Sequence, residues 1–180
     1  MGRAFDAIPE HLLEWIAEQP IWFVATAPSG ADGHVNLSPK GGDGFRVLGP
    51  NEVAYLDLTG SGAETIAHLR DNGRLTIMFC SFEAKPLIVR LYGIGETVLP
   101  DHPDFDDLVA RFPANRGTRS VIRLAVDRVS TSCGYTVPRM ELQAPRTTLD
   151  EWAEKKTDEE LEAYRAKKNA KSIDGLPALA

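Results

Sequence analysis

Three short blocks bring together residue types suited to holding a phosphate or a planar ring. They are Val35-Asn36-Leu37-Ser38-Pro39-Lys40-Gly41, Leu56-Asp57-Leu58-Thr59-Gly60-Ser61-Gly62-Ala63-Glu64-Thr65, and Leu87-Ile88-Val89-Arg90-Leu91-Tyr92-Gly93. In the first, Pro39 and Gly41-Gly42 bend the chain around Lys40 so that its ammonium reaches past the strand edge; a lysine so placed otherwise serves only to meet solvent. The second runs from a strand through two glycines into a helix, where free N–H groups and the positive helix end favour an anion. In the third, Arg90 stands among apolar residues, where a bare charge is costly to bury. It needs a partner, either a ligand or a carboxylate such as Asp57. A bound phosphorylated cofactor is the chemistry these blocks suggest.

Each block has a plainer reading beside it. Gly60 to Thr65 has the look of a dinucleotide-binding turn with Thr65 in place of the last glycine, but that turn belongs to a βαβ unit and the next segments read as hairpin strands. Ser61 and Glu64 also form a capping box that would close the helix with no ligand at all. Other chemistry fails on spacing. His11, His34, His68 and His102 fall in four different elements without metal-ligand intervals. Asp101, Asp104, Asp106 and Asp107 lack the glycine of a calcium loop and suit the first turn of a helix. No Gly-x-Ser-x-Gly elbow is present, and no histidine neighbours Cys133.

Composition sets the outer bounds. With 180 residues, 43% hydrophobic, the chain can bury one sizeable core and reads as a single domain over residues 1–180. A formal charge of -6 speaks against nucleic acid as a partner. Apolar runs are short, as in Ile21 to Ala25, which speaks against a membrane span. No secretory signal precedes the first helix, so a cytoplasmic location is expected. Cys80 in an apolar strand and Cys133 in Ser-Cys-Gly-Tyr are too few and too far apart for a disulfide framework.

The elements that position these blocks are mostly strands. Pro9 opens a helix whose apolar face is Leu12, Leu13, Ile16 and Trp15, and Pro20 stops it. Strands are expected from Ile21 to Ala27, His34 to Ser38, Phe45 to Leu48, Val53 to Leu58, Leu75 to Phe79, Leu87 to Val98 and Ser120 to Ser130. Helices are expected from Ser61 to Asp71 and from Pro103 to Phe112. Many strands with few helical crossovers indicate an antiparallel barrel. Residues 139–180 change character: Thr148-x-x-Glu151 and Thr157-x-x-Glu160 mark two capped helices, with Leu149, Trp152, Leu161 and Tyr164 as sparse apolar contacts. Such an arm must dock on its own barrel or on a partner subunit.

The three blocks, in this order, resemble the FMN-binding split barrels of the pyridoxamine 5'-phosphate oxidase superfamily. Cys133-Gly134-Tyr135-x-Val137-Pro138 and Asn169-x-x-Ser172-Ile173-Asp174-Gly175-Leu176-Pro177 narrow the resemblance to its oxidase-related branch. The resemblance implies a mainly β, six-stranded antiparallel split barrel with flanking helices and a C-terminal arm. It also implies a homodimer with FMN in clefts between the subunits, acting on a small-molecule substrate or electron donor. Asn36, Leu37 and Ser38 would lie along the flavin, and Lys40 would face the phosphate or the substrate. Asp57, Leu58 and Thr59 would sit near the ring, with Ser61 and Thr65 on the phosphate and Arg90 at the cofactor or a substrate above it. No catalytic residue is implied. The true oxidases carry an arginine-lysine pair near Gly62, Ala63 and Glu64, a glutamine at Ile88, and a C-terminal tryptophan and arginine motif that Tyr135 to Leu142 does not reproduce. The activity implied is flavin-mediated hydride or electron transfer. Alternatives are a non-catalytic flavin-binding protein, a deazaflavin- or haem-binding relative, or a ligand-free barrel used for assembly.

Overall fold

A computed structural model describes residues 2–179. Alternating burial in β2 (Ile21–Thr26) sends Trp22, Val24 and Thr26 inward and leaves Ile21, Phe23 and Ala25 half-buried on the other face. All strand pairs are antiparallel. With β1 (Ala4–Phe5), β3 (Asn36–Gly41), β4 (Phe45–Gly49), β5 (Glu52–Leu58), β6 (Arg74–Cys80), β7 (Ile88–Val98) and β8 (Thr118–Ser132), the sheet runs β3-β2-β6-β7-β8-β5-β4, and β1 adds to β8.

The sheet curls into a half-barrel because its ends share one aromatic core. Trp22 of β2 lies 5.5 Å from Phe45 of β4 and 6.3 Å from Tyr55 of β5, while Phe45 lies 5.0 Å from Phe79 of β6. Only a folded-over sheet lets strands so far apart in the path touch. The path ends at β3 and β4, which pair with β2 and β5 and leave a seam between them. Val24, Ile77, Leu91, Ile122 and Leu124 fill the interior together with Ile66 and Leu69 of α2 (Glu64–Asn72). α1 (Glu10–Ala17) adds Leu12 and Ile16. On the opposite face of β5 and β8, Leu56 and Val121 pack with Leu108 of α3 (Phe105–Val109) and Phe112.

The split-barrel class holds, and the differences lie at edges and helix ends. The sheet counts eight strands where the resemblance implies six, since short edge strands and the two-residue β1 are included. β3 starts two residues later than expected and continues through Pro39 to Gly41, which an edge strand tolerates. α2 begins at Glu64 instead of Ser61. α3 covers only residues 105–109 of the expected ten. Neither Ser61 nor Thr148 caps a helix: the N-caps are Ala63 and Thr147, both without a side-chain cap bond. The Thr157–Glu160 capping box is complete and starts α5 (Asp158–Lys168). At Gly93 a bulge brings β7 so close to β8 that an added Cβ would stand 1.9 Å from the Ala125 carbonyl oxygen. Only glycine fits there.

The arm lies on this same barrel. Ala153 of α4 (Thr148–Glu154) and Leu161 of α5 are buried, and Ala178 joins the interior core. Arg116 donates to the Lys156 carbonyl at 3.0 and 2.7 Å. Asn169 Nδ2 donates to the Gly60 carbonyl at 2.9 Å.

Candidate functional site at the barrel seam

Period-two alternation along β3 divides its residues between two environments. Asn36, Ser38 and Lys40 lie opposite Thr26, Val24 and Trp22 on the inner face, whereas Leu37 and Pro39 are exposed on the outer one. On β5 the same rule sends Tyr55 and Asp57 inward. Lys40 and Asp57 therefore meet across the seam, Nζ to Oδ1 at 3.7 Å. The ammonium also sits 5.8 Å from the Tyr55 ring centroid.

Asp57 is 1% exposed and needs stronger partners than that. A bulge supplies them. Asp57 pairs with Ser120 and Leu58 with Thr118, so Arg119 is the extra residue on β8, and its side chain turns to the carboxylate. Arg119 Nε donates to Oδ2 at 2.6 Å, Nη2 to Oδ1 at 3.3 Å, and Ser120 Oγ to Oδ2 at 3.0 Å. Arg119 itself is 6% exposed, and its Nη1 is buried with no partner among the described residues. Tyr55 Oη is likewise buried without one. Burial first, then the Asp57 charge, pushes the Tyr55 phenol well above its ordinary pKa, so it stays neutral.

A second guanidinium arrives from the arm. Arg165 Nε donates to Thr59 Oγ1 at 2.9 Å and Nη2 to the Thr118 carbonyl at 3.1 Å. Desolvation, then repulsion from Arg119, lowers its pKa. Lys40 and Arg119 thus share one carboxylate, with Arg165 beside Arg119, in a chain whose net charge is -6.

Beside this charged cluster runs a neutral one. Asn36 Nδ2 donates to Thr26 Oγ1 at 3.1 Å and Thr65 Oγ1 at 3.2 Å; Ser38 Oγ donates to Asn36 Oδ1 at 2.8 Å. Thr26 Oγ1 is 2.9 Å from Nδ1 of the fully buried His68. Burial lowers the His68 pKa more than nearby Glu64, Asp174 and Asp71 raise it, so the ring is neutral in the folded state. The linkage has a definite sign: the unfolded chain takes up the proton first, so stability is full above pH ~6.5 and falls as pH drops from there toward the folded pKa. Urea melts should show wild type losing stability over that window more steeply than His68→Gln. Parallel pH profiles would contradict the buried neutral ring.

The remaining expected site residues are placed elsewhere. Arg90 shares its row with Pro39, Phe23, Met78 and Ser130, on the outer face. Its Nη1 donates to Ser132 Oγ at 3.1 Å, and Asp57 is not its partner. Leu37 is on that outer face as well, while Leu58 is half-buried next to the bulge. Ser61 is exposed in the turn before α2. The positive end of α2 is not free: Glu64 Oε2 accepts from Ala63 N at 3.0 Å and Oε1 from Ile173 N at 3.1 Å. Asp174 in the same C-terminal turn holds His34 at 2.7 Å. The α2 start therefore already faces its own carboxylate, which corrects the expectation of free N–H groups there.

Sequence reasoning passed over Arg119 and Arg165. The signal for Arg119 was faint, one arginine in Thr-Arg-Ser-Val-Ile-Arg, and Arg165 sits in a Lys- and Arg-rich stretch that reads as a solvated face. Two surface depressions, one at Leu13, Val47 and Pro50 and one at Glu52, Asp107 and Arg123, lie away from the seam. Among the described residues no group of His, Cys, Asp and Glu is arranged for a metal, and no helix is long and apolar enough to cross a membrane.

Residues 8–133 match the family model described as pyridoxamine 5'-phosphate oxidase, a span containing the whole seam apart from the arm. The chain belongs to that family. It is 40% identical over 192 aligned residues to the pyridoxamine 5'-phosphate oxidase family protein ustO of Aspergillus flavus, covering 97% of this chain and 77% of that one. The family fold recurs in a FAD-binding protein of Mesorhizobium loti, at 14% identity and TM-score 0.51 over 73% of this chain and 96% of the other. It recurs again in HutZ, a haem storage protein of Vibrio cholerae, at 17% identity and TM-score 0.50 over 71% and 96%.

Proposed function

We propose that this chain is an FMN-binding oxidoreductase of the pyridoxamine 5'-phosphate oxidase-related type, working as a cytoplasmic homodimer on a small-molecule substrate. The observation that carries the reading is the crowding of cations at the seam: Lys40 and Arg119 share the buried Asp57 carboxylate, Arg165 stands beside Arg119 on two neutral acceptors, and one Arg119 nitrogen has no acceptor among the described residues. A phosphorylated ligand supplies the missing negative charge. The residues present therefore fit a flavin mononucleotide. When bound, that cofactor accepts and returns a hydride or electrons at its ring. Lys40 would face the anionic end, Asp57 and Ser120 would fix Arg119, and Asn36 and Thr65 would orient the strand and helix around the ligand. The two free cysteines, Cys80 buried and Cys133 exposed, fit a reducing compartment.

A ligand lying between two subunits is enclosed only when both are present. The outer face of β3, β2, β6 and β7 supplies the contact surface, with Leu37 64% exposed beside half-buried Phe23, Met78 and Tyr92. Leu37→Lys places a charge at its edge and should convert a dimer to a monomer at micromolar concentration in light scattering. A dimer that survives the change would contradict this interface.

The fold is shared with proteins described as binding FAD and storing haem. The absorption spectrum of the purified protein separates the readings: flavin bands support the proposal, a haem Soret band favours the haem-binding relative, and a colourless protein that fails to quench added FMN overturns it. Flavin bands without turnover leave a flavin-binding protein that is not an enzyme.

A further inference from the structure

We propose that the C-terminal arm completes an anion subsite within its own chain, in which Arg165 and Arg119 together hold a phosphate group beside the Thr59–Gly62 turn. The proposal rests on the flavin reading only for what carries that phosphate. Three observations lead to it. The β8 bulge turns Arg119 inward, where Nε and Nη2 hold Asp57 and Nη1 is left as a buried donor with no acceptor among the described residues. Unpaired donors of this kind are rare because they forfeit their hydration. Thr118 Oγ1, one residue earlier, is also buried without a partner among the described residues. Finally, α5 brings a second guanidinium to the same place and fixes it on Thr59 and the Thr118 carbonyl.

A purely structural strut would not be built this way. Arg165 meets two neutral acceptors and is repelled by Arg119 more strongly than either Glu162 or Asp158 attracts it, while the Asp57 carboxylate is already shared by Arg119 and Lys40. A tetrahedral dianion accepts from Arg119 Nη1, from the Arg165 N–H groups that Thr59 and Thr118 leave over and from a hydroxyl, and replaces repulsion by attraction. The arm is held in register for this role by Asn169 on the Gly60 carbonyl and by the capping box that starts α5. Ser61 and Gly62 are exposed on the open side of the subsite, and at the α2 end of the same turn the Glu64 carboxylate is held by the Ala63 and Ile173 N–H groups.

The test compares thermal stabilisation by inorganic phosphate, at matched ionic strength in chloride, for wild type, Arg165→Met, Arg165→Lys and the exposed neighbour Lys167→Met. Wild type and Lys167→Met should be stabilised alike, and Arg165→Met should bind phosphate about ten- to a hundredfold more weakly. Arg165→Lys should fall between them, and serves alone if the Met variant does not fold. A phosphate response that is absent in wild type, or equal in wild type and Arg165→Met, overturns the subsite. Titration with FMN and riboflavin then separates the two claims. A preference for FMN that collapses in Arg165→Met, with riboflavin affinity unchanged, supports both. Phosphate binding that depends on Arg165, with no binding of either flavin, supports the subsite and removes the flavin reading.

Discussion

Asp57→Asn is expected to cost about 3–5 kcal/mol of folding stability, because it leaves the Arg119 guanidinium buried without its counter-charge. Asp57 accepts from Arg119 Nε at 2.6 Å and from Ser120 Oγ at 3.0 Å, and both ionic partners of this pair are almost fully buried. Solvent therefore screens little of the interaction. Lys40 contributes less, since its 3.7 Å contact is long and its side chain is 27% exposed. Urea denaturation should show a lower midpoint with an unchanged slope. The double replacement Asp57→Leu with Arg119→Met removes both charges together and should recover much of the loss. A single variant within about 1 kcal/mol of wild type would show that the pair does not hold the seam.

Lys40→Ala is expected to act on the ligand more than on the fold. Its weak contact with Asp57 predicts a folding cost under about 1 kcal/mol. A charged hydrogen bond to a ligand phosphate, by contrast, accounts for about 1.5–3 kcal/mol, or roughly ten- to a hundredfold in FMN affinity. Flavin fluorescence titration of the variant, with its denaturation midpoint measured alongside, gives both quantities. Unchanged FMN affinity would take Lys40 out of the site. A large loss of stability would make it part of the Asp57 structural network instead.

Much of this architecture was legible in the sequence because alternation is a local signal. Trp22, Val24 and Thr26 announce the inner face of β2, and Thr157 with Glu160 announces the start of α5. The pairing of Lys40 with Asp57 was half visible, since both residues stood out but their partners did not. Arg119 meets Asp57 across 62 residues and only because a bulge turns it inward, a choice set by strand register and not by neighbouring residue types. Arg165 reaches Thr59 from 106 residues away, in a stretch whose composition resembles any solvated helix. The α2 start misled for a related reason. Its glycines and Ser61 describe an open anion site, yet Glu64 folds back on Ala63 and also receives Ile173, which no local pattern foretells. Arg90 shows the converse: an arginine among apolar residues looked buried, but its strand gives it the outer face, with Ser132 as a neutral partner.

The most direct test of the account is the identity of what the protein carries. Purified chain, denatured and extracted, should release FMN at close to one molecule per chain, identified by mass. Release of haem, or of nothing from a protein that also fails to take up added FMN, would contradict the proposal that the cations at this seam serve a flavin.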